Sequence, residues 1–426
     1  MYTVREVEID NFWHRLDAKC TFNDDVNIII GRNGTGKTTF MNLLHAALTV
    51  DLEELAENDF TTIKIKLVNG SKSRLVRVIK GDSPSFNYRS IDYKISNRRY
   101  SLRAIAATDE VRVPIGFRKR MLEEAAEVRG CLSDLISLSS LSVYRLKSSE
   151  DYEIKDRAGK RLVSPVDYRL MQLRADITKY QYELSLKARE ISSSLQKDVL
   201  ASILFTEGST SSGSIPAKFD KDKEYSKLVN AYNRLGANDS SIQRKINNHI
   251  VAVDEAFRVF NASSSHEDMK DKHFTAIESF LRTQNIVDMS LRAEEKTLQV
   301  YSELTQFTST LKEFVPDKSF SISSGELKVA SAEGDCEEIP ISKLSSGEKQ
   351  LIILLAEALL QRGKHYVYLA DEPELSLHID WQRKILPAIK RLNQNAQIIA
   401  ATHSPEVASK YMDSIIDMKE VVSGRA

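Results

Sequence analysis

Long apolar runs are missing from this sequence, and cysteine is scarce. No run approaches the roughly 20 apolar residues that a membrane-spanning helix needs, so we expect no membrane partner. The three cysteines, Cys20, Cys131 and Cys336, stand far apart and form no CxxC pair. Neither a disulfide framework nor a zinc site is therefore indicated, and a reducing cytoplasm is the expected location.

Net charge is absent as well. The 60 basic and 60 acidic residues cancel, which argues against a protein held to nucleic acid by overall charge but leaves room for a local basic face. The first residues, MYTVREVEIDNF, have the pattern of a strand that carries charges, so no signal peptide is predicted. With 426 residues, the chain is long enough for two or three domains.

Both ends of the chain have strand-forming patterns. Residues 1–107 are predicted to be β-rich, with a hairpin at Asn69-Gly70 and a further hairpin at 152–163. After about residue 319, the strand-like HYVYLADE and AQIIAATH alternate with the helix-like SLHIDWQRKILPAIKRL and PEVASKYM. This alternation predicts a parallel sheet.

The middle of the chain is predicted to be helical. Apolar residues spaced mostly by three and four between Val166 and Val199 predict a coiled-coil-like helix about 58 Å long. Further helical tracts are predicted from near Ser241 and over about 274–314. We therefore divide the chain into 1–163, 164–316 and 317–426. Whether the middle part is a projecting arm or an ordinary helical bundle on the body stays open.

The stretch GRNGTGKT fits the phosphate-binding pattern GxxxxGK[ST], and it follows the strand VNIII and precedes a helix-like segment. Its glycines allow backbone N–H groups to surround phosphate oxygens, Lys37 reaches the β- and γ-phosphates, and the Thr38 hydroxyl ligates Mg²⁺. The predicted ATP-binding residues here are Gly31, Arg32, Asn33, Gly34, Thr35, Gly36, Lys37, Thr38 and Thr39.

The strand YVYLADE ends in two carboxylates. Asp371 is predicted to hold Mg²⁺, and Glu372 to orient or deprotonate the attacking water. A DE pair alone also fits a helix N-terminus, which favours acids; the phosphate loop makes the catalytic interpretation stronger. Because Lys37 and Asp371 must meet at one ATP, the two chain ends are predicted to form one nucleotide-binding domain.

The stretch KLSSGEKQ begins an apolar helix. Ser345 and Glu348 fit a capping box, so the helix is predicted to begin at Ser346. A well-capped buried helix is the simple interpretation. A helix N-terminus with a glycine and two hydroxyls is also an anion site. Since residues 31–38 already hold the chain's own ATP, this second site is best explained by the γ-phosphate of a second molecule's ATP.

These motifs resemble those of ABC-type ATPases of the SMC/RecF-like and OLD-like branch. LSSGEKQ resembles their signature motif, DEPELSLH their Walker B and D-loop, and ATHSPEV their switch-histidine segment. The resemblance implies an α/β fold: a P-loop ABC-ATPase head, with a mixed β-sheet, helices and an antiparallel β lobe. This head is assembled from both chain ends around a helical, coiled-coil-like insertion.

The resemblance also implies roles for single residues. Two subunits would sandwich two ATP molecules head to tail, so that Ser345 and Gly347 contact the γ-phosphate bound to the sister chain. Ser376 and Leu377 would lie in the loop that couples the two sites. His403 would sense the γ-phosphate and stabilise transition-state charge; the alternative is that it merely ends a strand.

One element of the family pattern is missing. These ATPases usually carry a Q-loop glutamine before the insertion, but the first glutamine here is Gln172, inside the first long helix. At the expected place stands LSVYRLKSS (141–149). Its Arg145 either approaches phosphate or is a surface arginine at a strand end.

The short chain and the DEPELSLH wording look most like the ATPase subunits of bacterial anti-phage systems of the Septu, retron and PARIS type. This implies a homodimer or higher homo-oligomer that regulates a separately encoded nuclease or toxin. The chain stops shortly after ATHSPEV, so no Toprim nuclease domain is expected.

Two other functions stay open. One is a DNA-repair ATPase that clamps DNA directly, and the other is a scaffold that binds ATP but seldom hydrolyses it, which the intact Glu372 disfavours. Nucleic acid is a possible partner because NYRSIDYKISNRRYSLR (87–103) mixes basic residues with Tyr88, Tyr93 and Tyr100. This segment either follows a phosphate backbone with stacking rings or is a solvated hairpin face.

Overall fold

The fold is known from a computed structural model that describes residues 1–81, 89–104, 115–140, 152–156, 159–203, 219–234, 239–262, 270–323, 325–332 and 338–424. The chain divides into two compact units. The head unit comprises Met1–Thr178 and Leu304–Ala426, and the helical unit comprises Lys179–Glu303. The predicted Q-loop region with Arg145, at 141–149, lies outside the described residues.

The strands belong to the head unit. Their bounds are β1 Thr3–Phe12, β2 Leu16–Thr21, β3 Val26–Ile30, β4 Thr62–Asn69, β5 Lys72–Gly81, β6 Arg89–Ile95, β7 Arg98–Ala104, β8 Leu138–Ser140, β9 Tyr152–Asp156, β10 Gly159–Val163, β11 Lys318–Ser323, β12 Glu326–Ser331, β13 Tyr366–Asp371, β14 Ala396–Ala401, β15 Ile415–Asp417 and β16 Val422–Gly424.

The helices occur in both units. Their bounds are α1 Lys37–Thr49, α2 Leu52–Glu57, α3 Ile115–Ser133, α4 Pro165–Ile203, α5 Lys221–Arg234, α6 Ser240–Ala262, α7 Asp271–Phe314, α8 Ser346–Leu360, α9 Ile379–Leu392, α10 Pro405–Ala408 and α11 Met418–Val421.

An antiparallel sheet has the strand order β16-β2-β1-β4-β5-β6-β7. Its strands alternate because one face is buried: Val7, Ile65 and Val76 lie opposite one another in register and are fully buried. The predicted hairpin at Asn69-Gly70 is confirmed, since β4 pairs antiparallel with β5 and Gly70 has a φ of +56°. The second predicted hairpin is also confirmed, as β9 pairs with β10.

Of the two interpretations left open for segment 87–103, base stacking by its tyrosines does not fit two of the rings. Tyr93 is fully buried and donates its hydroxyl to the carbonyl of Ala47 over 3.1 Å. Tyr100 is half-buried, with its hydroxyl 3.2 Å from the Cys131 sulfur. Both rings belong to the packed face of the sheet, whereas Tyr88 lies outside the described residues.

A parallel sheet has the strand order β15-β3-β14-β13-β8. All its pairings are parallel, which confirms the sheet predicted from strand and helix alternation. Strand β14 is buried throughout, as expected of a central parallel strand. β3 and β13 come from opposite ends of the sequence and flank β14, so the carboxyl ends of the three strands meet at one edge of the sheet.

The helical unit contains α5, α6 and parts of the long helices α4 and α7. Its core includes the rings of Phe219, Phe257 and Phe280, which pack with centroids 5.0 to 5.7 Å apart. Helix α5 was not predicted from the sequence. Only Leu228 and Ala231 are buried in this helix, too few apolar positions to give a clear helical period.

Two predicted helices near the C-terminus are shorter than expected. The helix predicted from Ser376 begins at Ile379, because Ser376 has a φ of +67° and His378 is the N-cap. The helix predicted at PEVASKYM ends at Ala408. Strand β16, which pairs with β2, was not predicted. In the described part of the chain, no helix combines the length and apolar character needed to cross a membrane.

Candidate functional site

The phosphate loop lies between strand β3 and helix α1. Gly34 and Gly36 have φ angles of +79° and +93°, a region that glycine adopts without strain. A Cβ atom on Gly36 would lie 2.8 Å from Cε1 of Phe12 and 3.2 Å from the Trp13 ring. The loop is therefore a tight cradle at a helix N-terminus, where backbone N–H groups are left for an anion.

The turn between β1 and β2, which was not predicted from the sequence, supports this cradle. Asn11, Trp13 and His14 all have positive φ angles, of 62°, 53° and 61°. Such conformations cost of order 1–3 kcal/mol each in residues that carry a side chain. The Phe12 and Trp13 rings stack with centroids 5.0 Å apart, and His14 lies 2.9 Å from Asp59. These contacts hold the rings against Gly36.

Lys37 begins helix α1 and is buried. Its ammonium donates to the carbonyls of Gly31 and Arg32 at 2.8 and 3.2 Å. Burial lowers the pKa of Lys37 from its ordinary value, while the nearby carboxylates of Glu372, Asp371 and Glu374 act in the opposite direction. The Lys37 ammonium therefore lies inside the phosphate loop, near three carboxylates.

The two carboxylates predicted at the end of β13 lie at the same edge of the sheet. Asp371 is paired with Ala401 of β14 and is largely buried. The next backbone N–H, that of Glu372, donates to the Ala401 carbonyl over 2.7 Å. Glu372 has a φ of +49°, so the chain turns sharply at the residue predicted to activate water.

His403 brings these groups together. Its Nδ1 lies 3.4 Å from the Lys37 ammonium, and its Nε2 lies 3.7 Å from Oε1 of Glu372. The three side chains come from the ends of β13 and β14 and from the start of α1, at one edge of the parallel sheet. The arrangement places a cation, an imidazole and a carboxylate around one small volume.

The signature stretch forms the N-terminus of helix α8. The predicted capping box is confirmed: the Ser345 hydroxyl accepts from the Glu348 N–H, and the Glu348 carboxylate accepts from the Ser345 N–H. Lys318 also pairs with Glu348. Gly347 is buried against the loop after β13, where an added Cβ would lie 2.5 Å from the carbonyl oxygen of Ser376. No residue larger than glycine fits there.

The residues predicted to bind ATP and Mg²⁺ thus form two groups. The first group surrounds the phosphate loop: Gly31, Arg32, Asn33, Gly34, Thr35, Gly36, Lys37, Thr38, Thr39, Asp371, Glu372 and His403. The second, Ser345 and Gly347, lies at the start of α8, and among the described residues no hydrogen bond or ion pair joins it to the phosphate loop.

The first group fits a magnesium nucleotide. A glycine cradle too tight for a side chain, a buried ammonium, a hydroxyl and two carboxylates are the donors that a triphosphate with Mg²⁺ requires. Among the described residues, no group of three or more His, Cys, Asp or Glu side chains is arranged to hold a metal by itself. The residues present that would hold the cation are Thr38 and Asp371.

Glu374 was also missed by the sequence analysis. Its carboxylate accepts hydrogen bonds from the segment Thr402–Ser404, which includes His403. The available signal was a third acid in DEPELSLH, two residues after Glu372. Local patterns give no reason to connect this acid with a histidine that follows another strand.

Comparison with known proteins gives matches across most of the chain. The family model described as "AAA ATPase domain" matches residues 2–408. "Retron Vc95 probable ATPase" of Vibrio cholerae serotype O1 biovar El Tor is 21% identical over 414 residues, covering 90% of this chain and 66% of that protein. "Retron Ec83 probable ATPase" of Escherichia coli is 34% identical over 80 residues, covering 16% of this chain and 15% of that protein.

Other matches are shorter or more distant. The "Uncharacterized ABC transporter ATP-binding protein YvrA" of Bacillus subtilis (strain 168) is 35% identical over 92 residues, 21% of this chain and 20% of that protein. The matches span less than two thirds of the length of these three relatives. A crystal structure of the Smc head domain with an extended coiled coil, bound to ScpA and derived from Pyrococcus furiosus, has a TM-score of 0.43 and 14% identity, covering 98% of this chain and 93% of that one.

Proposed function

Because this chain belongs to the AAA ATPase domain family, and is thus the ATPase that its motifs predict, we propose that two copies bind two ATP molecules head to tail in the cytoplasm. Each nucleotide lies between the phosphate loop of one copy and the signature stretch of the other. Hydrolysis separates the two copies and thereby controls a separately encoded effector, a nuclease or a toxin, in antiviral defence.

In this proposal each residue near the phosphate loop has one role. The backbone of Gly31–Thr39 and the Lys37 ammonium hold the phosphates, and Thr38 with Asp371 holds Mg²⁺. When bound, Mg²⁺ offsets the charge that develops on the phosphate oxygens. Glu372 accepts a proton from the attacking water, and His403 donates to the γ-phosphate.

The observation that carries the proposal is the exposed N-terminus of α8. This 15-residue helix is otherwise mostly buried, yet Ser345 and Ser346 at its start are exposed. The side chain of Leu375, on the loop that contacts Gly347, is 47% exposed, and that of Ile379, at the start of α9, is 51% exposed. A second copy with bound ATP would cover this surface. The exposed hydroxyls would then contact the phosphate, and the exposed apolar side chains would be buried against the second copy.

The link to antiviral defence rests on the amino-acid sequence of the motifs and on the similarity to retron ATPases. One of these aligns with 90% of this chain. The expected effector is a separate protein. Co-expression with the proteins encoded beside this chain, followed by pull-down with and without ATP, identifies it. An ATP-dependent nuclease or toxin in the complex is expected, and a complex with a replication or repair protein would contradict the defence role.

Subunit mixing tests the shared site. Lys37→Ala removes the phosphate-loop cation, and Ser345→Arg blocks the signature stretch, so each variant alone is expected to lose hydrolysis. In a 1:1 mixture, random pairing makes half of the dimers mixed, and each mixed dimer has one intact site. Hydrolysis should therefore return to about a quarter of the parent rate if the two sites act independently.

The control is a mixture of Lys37→Ala with Glu372→Gln, which damages the same phosphate-loop side of the site twice. No mixed dimer of this pair has an intact site, so hydrolysis should stay absent. If the Lys37→Ala and Ser345→Arg mixture is equally inactive, or if Ser345→Arg alone keeps the parent rate, the head-to-tail site is wrong.

A row of basic residues favours DNA clamping as a second candidate function. On the solvent face of the antiparallel sheet, Glu8, Lys64, Arg77, Lys94 and Arg99 lie opposite one another on five successive strands. Lys64 is paired with Glu8 and Asp10 at 3.4 and 3.2 Å. Among the described residues, Arg77, Lys94 and Arg99 form no ion pair, although like charges directly opposite one another destabilise a sheet.

This row predicts binding to a duplex backbone rather than to single strands, because the tyrosine rings of the same strands face inwards and offer no stacking surface. The double variant Lys94→Glu with Arg99→Glu should abolish binding of a labelled duplex. It should also abolish any hydrolysis that the duplex stimulates. Lys296→Glu, an exposed lysine of the helical unit, is the matched control. Binding that is absent at low salt, or that ignores salt, contradicts this candidate.

A further inference from the structure

One carboxylate connects the ends of β13 and β14. Oε1 of Glu374 accepts from the Thr402 hydroxyl, from the His403 N–H at 3.1 Å and from the Ser404 N–H at 3.2 Å. These donors are consecutive residues of the segment that follows β14. A single side-chain oxygen thus binds the backbone N–H groups of His403 and Ser404 and the side-chain hydroxyl of Thr402.

The parallel sheet explains why Glu374 reaches this segment. Asp371 is in register with Ala401, so the two chains leave the sheet side by side. The Glu372 N–H extends the pairing by one bond, and its positive φ turns the chain back over the end of β14. The Thr402 N–H still donates to the Ile29 carbonyl of β3 over 3.1 Å. Beyond it, the Glu374 carboxylate accepts from the N–H groups of His403 and Ser404, and the Ser404 N–H also lies 2.9 Å from the Thr402 hydroxyl oxygen.

The His403 ring has few other constraints. Its side chain is 34% exposed, and its two ring nitrogens lie near Lys37 and Glu372, 3.4 and 3.7 Å away. Because a partly exposed ring follows its own backbone, the position of the ring between these two groups depends on what holds residue 403. In the structure that support is Glu374.

We propose that Glu374 is a positioning residue for ATP hydrolysis: its three hydrogen bonds hold the His403 ring between Lys37 and Glu372. The inference rests on the proposed function, because it assigns work to His403 in the hydrolysis step. Glu374 itself contacts neither the phosphates nor the water in this assignment. It acts through the backbone of another residue.

A simpler structural role is that Glu374 caps the short helix α10. However, Ser404 already caps this helix, since its hydroxyl accepts from the Glu406 N–H over 3.2 Å. The segment is also tied to α9 by Ser404 and Gln382, whose side chains lie 2.7 Å apart, and by the Arg383–Glu406 pair. α10 therefore keeps its cap and its contacts with α9 without Glu374. The His403 N–H, in contrast, has its acceptor in Glu374.

A carboxylate suits this position better than an amide. Hydrogen bonds to an ionised acceptor are roughly twice as strong as those between neutral groups. The other oxygen, Oε2, is buried and accepts no hydrogen bond from the described residues. The hydrogen bonds of this side chain are thus all made to residues 402–404. Glu374→Gln keeps the shape of the side chain and removes its charge.

The test compares Glu374→Gln, His403→Ala and the double variant in the full chain, by steady-state ATP hydrolysis. Misplacement of a catalytic group by about 1 Å costs up to about 100-fold in rate. We expect Glu374→Gln to lower kcat about 5-fold and to leave KM for ATP within about 2-fold. In the His403→Ala background, the same substitution should change kcat by less than about 2-fold, because its target is gone.

Controls separate positioning from a general loss of structure. Glu278→Gln, an exposed glutamate of the helical unit paired with Arg282, should keep the parent kcat. Thr402→Val removes one of the three donors, and the acceptor of a bond from the Ser404 N–H, with little change in the size of the side chain. It should lower kcat in the same direction, and again only when His403 is present. If Glu374→Gln unfolds the protein, Thr402→Val alone decides the question.

The outcomes are distinct. Suppose first that His403→Ala is slow. A parent-like kcat for Glu374→Gln or Thr402→Val would then overturn the positioning role alone, and so would losses of kcat that multiply when Glu374→Gln is combined with His403→Ala. If His403→Ala hydrolyses ATP as fast as the parent, the assignment of His403 in the proposed function is wrong as well.

Discussion

Gly36 is the residue at which the phosphate loop tolerates least change. Its φ of +93° disfavours any residue with a side chain. In addition, the space that a Cβ atom would need is filled by the rings of Phe12 and Trp13. Backbone conformation and packing thus impose the same residue, which is the reason that the motif has a glycine directly before the lysine.

Alanine at the two loop glycines separates these effects. Gly34 also has a positive φ, +79°, but nothing lies within 4 Å of its added Cβ. Gly34→Ala should therefore lower the free energy of unfolding by about 1 kcal/mol, the cost of the left-handed backbone. Gly36→Ala should cost about 1–3 kcal/mol more, because the core is overfilled, and should lose ATP binding.

Urea unfolding of both variants and titration with a fluorescent ATP analogue provide the measurements. Equal losses of stability in Gly34→Ala and Gly36→Ala would show that ring packing against Gly36 is unimportant.

At the scale of elements, helix α8 connects the signature stretch to the rest of the head unit. Its start is fixed by the Ser345–Glu348 capping box and the Lys318 pair. Further along, buried Glu357 accepts from Ser139 of β8 and from Arg169 of α4, and Lys349 pairs with Asp167 at 2.8 Å. The helix is therefore held by charges at several points, and it cannot shift without breaking them.

The cap of α8 should give the protein a distinct dependence on acid. Burial raises the pKa of Glu348, but the bonds from Lys318 and Ser345 outweigh it and leave the pKa below the ordinary value of 4.5. A carboxyl with a lowered folded-state pKa stabilises the fold above its unfolded pKa, and this stabilisation is lost as the pH falls through the folded pKa. Glu348→Gln should cost about 1 kcal/mol at pH 7, and almost nothing well below pH 4.5.

Chemical unfolding at several pH values, with the parent and Glu348→Gln compared at each, measures this difference. Glu420→Gln makes the same chemical change in the first turn of α11, at an exposed position, and should show a smaller effect. A difference between the parent and Glu348→Gln that is constant with pH contradicts the electrostatic explanation.

At the scale of the whole molecule, the proposal requires an assembly that a single chain does not provide. The signature residues and the phosphate loop of one chain have no hydrogen bond or ion pair in common within the described residues. The chain is also neutral overall, so long-range repulsion between two copies is small. Association should therefore depend on nucleotide rather than on salt alone.

Glu372→Gln should trap this assembly. The variant keeps the phosphate loop and the signature stretch but lacks the carboxylate that activates water, so hydrolysis should fall by about 100-fold or more. Light scattering after size exclusion should show a doubled mass with ATP and a single-chain mass without it. The double variant with Lys37→Ala, which cannot hold the phosphates, should stay a monomer. A monomeric Glu372→Gln protein at saturating ATP would contradict the proposed dimer.

Several features followed from short segments of sequence. The strand before Gly31, the helix that begins at Lys37, the capping box at Ser345 and the Asn69-Gly70 hairpin each depend on residues only a few positions apart. Local dihedral preferences and local hydrogen bonds decide such features, so their patterns are visible without a structure. The family likewise follows from motifs of this kind, since each motif is contiguous.

Other features depended on residues far apart in the chain. The sequence left open whether Tyr93 faces a ligand; it is buried against Ala47, because the inward face of β6 is fixed by its pairing with β5. Helix α10 stops at Ala408, and β16 returns to pair with β2. For Tyr93 and for β16 the partner was supplied by another part of the fold, and the local pattern did not identify it.

The sequence by itself determined the chemical groups available to this ATPase: the phosphate loop, the carboxylates, the histidine and the signature stretch. Only the tertiary structure decided which of them meet. His403 lies beside Lys37, and Glu374 holds the segment of His403, because β14 is inserted between β3 and β13 in the sheet. Strand order is set by the summed packing of the whole core, and no single segment of the sequence carries it.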